Sequence, residues 1–294
     1  MNTGEFFNYI LDCITFLLLT PTNMFISIVI LLNWIKDKKL PLVDQLIASI
    51  SVCNIAEEVM KSIKFLNIIY NSSKIRMIYF ALYYMVMSCN AWFSTFLCVY
   101  FCLKIVNVKN TLYICLQRNF QKILPWLFVA TILGSVLVRV PIILRISEEN
   151  ILTPKLNSTF LHFKRTNVLS FMILSWIAIL IFSISALTIV HSLFKHMNQV
   201  QENFGGFRSP NMKAHVQALI TVMLFLITNI TISIVLTINL TSYSDIIYYI
   251  IIPLYSTSKL AGCWSLIKGN RNLDETLKNI FRKLHCTKTS NNME

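Results

Sequence analysis

Residues 196–215 read HMNQVQENFGGFRSPNMKAH and contain no Leu, Ile, Trp, Tyr or Cys, although 55% of the 294-residue chain is hydrophobic. This polar stretch separates two long apolar runs, and its Gly205-Gly206 pair and Pro210 are typical of a turn between two helices. Only 13% of all residues are charged, whereas a soluble domain carries about 25%. The pattern therefore predicts membrane-spanning helices joined by short polar loops.

Apolar runs long enough to cross a bilayer, roughly 20 residues, occur seven times. The second run is the weakest, because Glu57, Glu58 and Lys61 interrupt it. The predicted fold is an all-α membrane protein, a bundle of seven transmembrane helices. The predicted spans are 8–33, 43–65, 79–103, 123–144, 168–194, 215–240 and 246–267.

The loops between these spans differ in positive charge. If the N-terminus is extracellular, the cytoplasmic segments carry sixteen Lys and Arg and the outer segments carry seven, which favours this orientation and a cytoplasmic C-terminus. Asn71 and Asn157 begin glycosylation sequons in the outer loops, so both are predicted to be glycosylated. The predicted receptor domain covers 1–285, and a cytoplasmic tail with a short amphipathic helix covers 268–294.

Several classes of function lack support in the sequence. The net charge of +13 follows from the loop asymmetry, and no basic stripe interleaved with aromatic residues points to nucleic acid. The eight Cys show no metal-binding spacing, so no metal or cofactor is expected. No set of Ser, His and acidic residues has catalytic spacing, so no enzyme is expected. A small-solute transporter remains an alternative, although the Pro and Gly residues show no repeat symmetry.

Four stretches at the cytoplasmic ends of the predicted spans carry a family resemblance: NMFISIVILLNWIK (23–36), WFSTFLCVYFCLKIVNV (92–108), SLFKHMNQVQENFGGFRSPNMKAHVQAL (192–219) and LIKGNRNL (266–273). They resemble the taste receptor type 2 family, the bitter taste receptors among G-protein-coupled receptors. A vomeronasal type 1 pheromone receptor is the alternative of similar plan, but the ungapped match across 206–215 favours a bitter taste receptor.

The resemblance implies a multi-pass receptor of the plasma membrane. Such a receptor binds small bitter agonists in the outer half of the bundle and activates a heterotrimeric G protein, gustducin-like or of another inhibitory class. Five residues are expected at the G-protein face: Lys104, Ile105, His196, Arg208 and His215.

The ligand pocket is expected among the third, fifth, sixth and seventh helices. Lys259 lies about three turns before Asn270, at a depth that lines the pocket in the resembling family. It is interpreted either as a cationic ligand contact or as an internal partner of Glu57 or Glu58, while Glu57 and Lys61 can pair along one helix face. The candidate pocket residues are Tyr83, Met87, Asn90, Phe171, Trp176, Ile232, Val235, Tyr255 and Lys259.

This sequence departs from the family pattern in its helices. Asn54 stands where the family has an Arg, and Gly262-Cys263 stands where it has His-Ser. Two family Lys residues near the last helix are replaced by Asn272 and Asp274. These departures predict a rewired polar network inside the bundle.

Overall fold

The computed structural model describes residues 3–65, 73–106, 111–137, 156–204, 210–241 and 245–291. Within these residues the chain forms eight α-helices and no strands. The helices are α1 Thr3–Asp37, α2 Leu42–Phe65, α3 Ser73–Ile105, α4 Thr111–Leu137, α5 Leu156–Phe204, α6 Pro210–Thr241, α7 Asp245–Gly269 and α8 Arg271–Asn291.

Helices α1 to α7 contain the seven apolar runs, except that residues 138–144 of the fourth run lie outside the described part. Two helices extend well beyond their runs. α4 begins at Thr111 rather than near residue 123, and α5 continues past both ends of 168–194. Polar residues such as Gln117 and Gln201 are good helix formers, so loss of hydropathy does not end a helix.

Four helical stretches of the described residues are long and apolar enough to cross a membrane. They are Cys13–Asp37, Ile78–Ile105, Tyr113–Leu137 and Leu169–Lys195, and α6 adds the shorter apolar stretch Met223–Val235. The charged residues of α2 keep it outside this group. The chain is therefore an all-helical bundle with membrane-compatible helices, and seven crossings remain a prediction.

The central helix of the bundle is α3, which packs against α2, α4 and α5. α1 contacts α2 and α7, while α6 lies against both α5 and α7. Among the described residues, the largest apolar core cluster joins α1, α2, α3, α4, α7 and α8 around Ile26, Leu46, Leu97 and Leu266. On the outside of the bundle, Trp126 is 75% exposed, as expected for a helix face in contact with lipid.

A single non-helical residue, Asn270, separates α7 from α8. Its Oδ1 accepts hydrogen bonds from the backbone N–H groups of Asn272 at 3.1 Å and Leu273 at 3.4 Å, so Asn270 caps the N-terminus of α8. Its Nδ2 donates to Asp44 Oδ1 at 2.7 Å near the start of α2. This cap therefore also fixes the end of α7 against α2.

Candidate ligand cavity and its polar network

A cavity of about 80 Å³ lies between α2, α3, α5, α6 and α7. Seven of the nine candidate pocket residues line it: Met87, Asn90, Phe171, Trp176, Ile232, Tyr255 and Lys259. The sequence-based expectation left out α2, which contributes Ile50, Asn54 and Glu57 to the wall. The cavity is small enough to hold only a few water molecules.

The other two candidates, Tyr83 and Val235, are not among its lining residues. Tyr83 stacks on Tyr79, with ring centroids 6.2 Å apart, and meets Tyr84 edge-on at 5.7 Å. Val235 is 2% exposed and packs with Ile232 and Tyr255. Val235 therefore lies behind two residues that line the cavity, whereas Tyr83 stacks on aromatic rings outside the lining. A ligand role for both stays a prediction.

Glu57 of α2 is the centre of a buried charge cluster and is 1% exposed. Lys259 Nζ of α7 lies 2.6 Å from Glu57 Oε2. Glu57 Oε1 accepts a hydrogen bond from the Tyr255 hydroxyl and lies 3.2 Å from Lys61 Nζ. Lys61 also lies 2.7 Å from Glu58 Oε1. Two acids and two bases thus balance their charges, which offsets the cost of burying them.

Asn54 connects this cluster to α3 and α1. Its Oδ1 accepts hydrogen bonds from Lys259 Nζ and from Asn90 Nδ2, each at 2.8 Å. Its Nδ2 donates to Asn23 Oδ1 at 3.1 Å. Cys263 of α7 also donates to Asn23 Oδ1, at 3.5 Å. One amide therefore ties α1, α2, α3 and α7 together, at a position that the sequence marked only as a departure from a family pattern.

The wall opposite the charge cluster is formed by α5 and α6 and is mostly neutral. Asn229 Nδ2 and Ser233 Oγ each donate to a carbonyl one turn earlier in α6, at 2.8 Å. The hydroxyl of Ser175 in α5 is buried and has no hydrogen-bond partner among the described residues.

The residues expected at the G-protein face are only partly described. Lys104 and Ile105 are exposed at the end of α3. Arg208 lies outside the described residues, as does Asn71 of the glycosylation prediction. The side chains of His196, His215 and Asn157 also lie outside the described part, although their backbones belong to helices.

The residues that line the cavity are apolar side chains, amides, hydroxyls and one buried ion pair. No group of His, Cys, Asp and Glu among the described residues is arranged to hold a metal ion. A wall of this composition is usual for small-molecule pockets.

Comparison with known proteins shows similarity to one family. A family model of taste receptor proteins (TAS2R) matches residues 1–285. Taste receptor type 2 member 4 of Homo sapiens is 27% identical over 225 residues, which cover 72% of this chain and 74% of that protein. Taste receptor type 2 member 2 of Homo sapiens is 28% identical over 214 residues, or 69% and 71% of the two chains. Member 1 of Chlorocebus aethiops is 28% identical over 240 residues, or 76% and 77%.

Proposed function

The chain belongs to the taste receptor type 2 family, the bitter taste receptors among G-protein-coupled receptors, and we propose that it binds small organic compounds in the cavity and activates a heterotrimeric G protein. The cavity is the observation that carries this proposal. It lies among five helices, and seven of the residues that the sequence marks as ligand contacts line it. This is a family of membrane receptors and not of enzymes.

The proposed orientation places the N-terminus outside the cell and the cavity in the outer half of a seven-span bundle at the plasma membrane. The Lys and Arg asymmetry of the loops supports it. Asn71 and Asn157 then face the outside as glycosylation sites. A bitter compound enters from the outside and needs an expanded cavity, because the present volume of about 80 Å³ is well below the several hundred Å³ of ordinary ligand pockets.

Phe225 of α6 links the cavity to the proposed G-protein face. It lines the cavity and packs edge-on against Phe182 of α5, with ring centroids 5.5 Å apart. A ligand that pushes on α6 therefore alters the packing between α5 and α6. Agonism requires tighter binding to the active arrangement than to the inactive one, and in our proposal the active arrangement separates the cytoplasmic ends of these two helices.

The proposed partner is a gustducin-like or other inhibitory-class G protein. The groove opened between α5 and α6 accepts a helix of its α-subunit, a helix-in-groove contact. Lys104 and Ile105 at the end of α3 border this groove, together with His196, Arg208 and His215. The exposure of Lys104 and Ile105 supports this placement.

The test is a calcium assay in cells that express the chain with a chimeric G-protein α-subunit coupled to calcium release. We expect transients in response to a subset of a broad panel of bitter compounds, with none in cells that express the chimeric subunit alone. Silence across the panel, with surface expression verified by antibody labelling of an N-terminal tag, contradicts the proposal.

A further inference from the structure

Two charged side chains, Glu57 and Lys259, are present among the described residues that line the cavity, and each is already engaged. Lys259 has three N–H donors. Two of them reach Glu57 Oε2 at 2.6 Å and Asn54 Oδ1 at 2.8 Å, and the ammonium lies 5.6 Å from the ring centroid of Tyr255. The carboxylate of Glu57 forms ion pairs with Lys259 and Lys61 and accepts a hydrogen bond from the Tyr255 hydroxyl. The cationic and anionic groups thus neutralise one another's charge.

We propose that this pairing makes the cavity selective for uncharged, hydrogen-bonding ligands, an inference that rests on the proposed ligand-binding function. Lys259 is then a residue that excludes charged ligands by completing a neutral wall with Glu57. This departs from the view of Lys259 as a cationic anchor for acidic compounds.

An acidic ligand gains little from Lys259 as long as Glu57 holds it. An acidic ligand must either displace the Glu57 carboxylate, which is 1% exposed, or use the third N–H of an ammonium whose charge Glu57 already balances. In a low-dielectric interior, the free energy lost when Glu57 and Lys259 separate exceeds the free energy gained from the new contact with the ligand. A cationic ligand meets the same difficulty, because Glu57 already faces both Lys259 and Lys61.

A neutral ligand, in contrast, can occupy the cavity without breaking the pair of Glu57 and Lys259. Met87, Phe171 and Ile232 supply apolar surface, and the uncharged polar residues Asn229 and Ser233 of α6 also line the cavity. Because an Asn amide and a Ser hydroxyl can each donate and accept, they suit an amide, a lactone or an alcohol. The paired charges of α2 and α7 and these neutral polar residues of α6 thus favour the same ligand class.

The first experiment uses the wild-type chain and matched probes in the calcium assay. Each probe set keeps one scaffold and changes one group, as in 4-phenylbutanamide, 4-phenylbutanoate and 4-phenylbutylamine, and sets are also built on every scaffold that the broad panel finds active. We expect the amides to be at least about tenfold more potent than the matched carboxylates and amines. Carboxylates or amines of equal or greater potency overturn the inference and leave the proposed function intact. Silence to all scaffolds contradicts the proposed function itself.

The second experiment breaks the pairing from one side. Glu57→Gln leaves Lys259 without its carboxylate, so the matched carboxylates should gain about tenfold in potency relative to the amides. Lys259→Gln should shift preference toward the amines by a smaller factor, because Lys61 still faces Glu57. The double variant, Glu57→Gln with Lys259→Gln, should restore the preference for amides.

Glu58→Gln is the matched control, because it removes the same charge one residue away. Glu58 is buried and pairs with Lys61, but it does not line the cavity. We expect its amide preference to equal that of the wild type. An identical shift in Glu58→Gln and Glu57→Gln contradicts a local effect of the pair. If the Glu57→Gln variant is not expressed at the cell surface, the wild-type probe sets and the double variant still test the inferred selectivity.

Discussion

Helices α2 and α7 are held together at two levels, by two contacts that are almost equal in length but differ in chemistry. The charged tie joins Glu57 of α2 to Lys259 of α7 at 2.6 Å. The junction tie joins Asp44, near the start of α2, to Asn270 at the end of α7 at 2.7 Å. Thirteen residues of α2 separate them, or about 20 Å. The distances do not rank the two ties, because the cost of losing each depends on what remains buried without a partner.

The charged tie should have the larger effect on stability. Glu57→Gln leaves Lys259 buried without its carboxylate, while Lys61 keeps only Glu58. Removal of one partner of a buried ion pair costs about 3–5 kcal/mol. We expect a clear drop in the melting temperature of the detergent-solubilised protein, measured by thermal unfolding.

The double variant separates the ion pair from simple side-chain packing. Glu57→Gln with Lys259→Gln removes both charges, so it should recover part of the lost stability. A double variant that is as unstable as the sum of the two single variants would show that the charges do not stabilise one another.

The junction tie should have a smaller effect, because Asn270→Ala removes hydrogen bonds and separates no ion pair. Loss of the N-cap of α8 costs about 1 kcal/mol, and loss of the hydrogen bond to the Asp44 carboxylate, which is 6% exposed, adds about 1.5–3 kcal/mol. Thermal unfolding of the same preparation measures it. Asn272→Ala, at an exposed neighbouring position, is the matched control, and an equal loss in both variants contradicts the capping role.

The sequence predicted the contacts that depend on spacing along one helix, and it did not predict those that depend on how helices rotate against each other. The separation of Glu57 and Lys61 by four residues placed both on one face of α2, and the two side chains lie 3.2 Å apart. Lys259 had two open interpretations, since the sequence does not give the rotation of α7 relative to α2. The contact of Lys259 with Glu57 shows which face of α7 is turned towards α2.

Asn54 is more central in the structure than its sequence position indicates. The resembling family has an Arg there, yet the hydrogen bonds around the Asn54 amide join four helices. A signal was available: the sequence lacks that Arg and has an extra cation, Lys259, at membrane depth. A buried acid such as Glu57 needs a positive partner from some helix. The missing Arg and the additional Lys are therefore two signs of the same buried network.

The smallest expected effect belongs to the partly exposed start of α8, where Asp274 lies 2.7 Å from Lys268 and 2.6 Å from Lys278. Hydrogen bonds from these two ammonium groups hold the pKa of Asp274 below its ordinary value of 3.8. The stabilisation is therefore fully present above pH 3.8 and is lost as the pH falls through the lower folded-state pKa. Asp274→Asn should lower the melting temperature at pH 7 by about a degree or less, since water screens such pairs.

As the pH falls from 3.8 through the lower folded-state pKa, the wild type and Asp274→Asn should progressively converge, which thermal unfolding across a pH series can measure. Glu275→Gln is the matched control, because Glu275 is more exposed than Asp274 and pairs with a single cation, Arg271, at 2.6 Å. Its effect should be smaller still. A difference between wild type and Asp274→Asn that persists unchanged at pH 3 contradicts a role for the ionised carboxylate. It would instead indicate that Asp274 acts through neutral contacts, as Asn270 does in the junction tie.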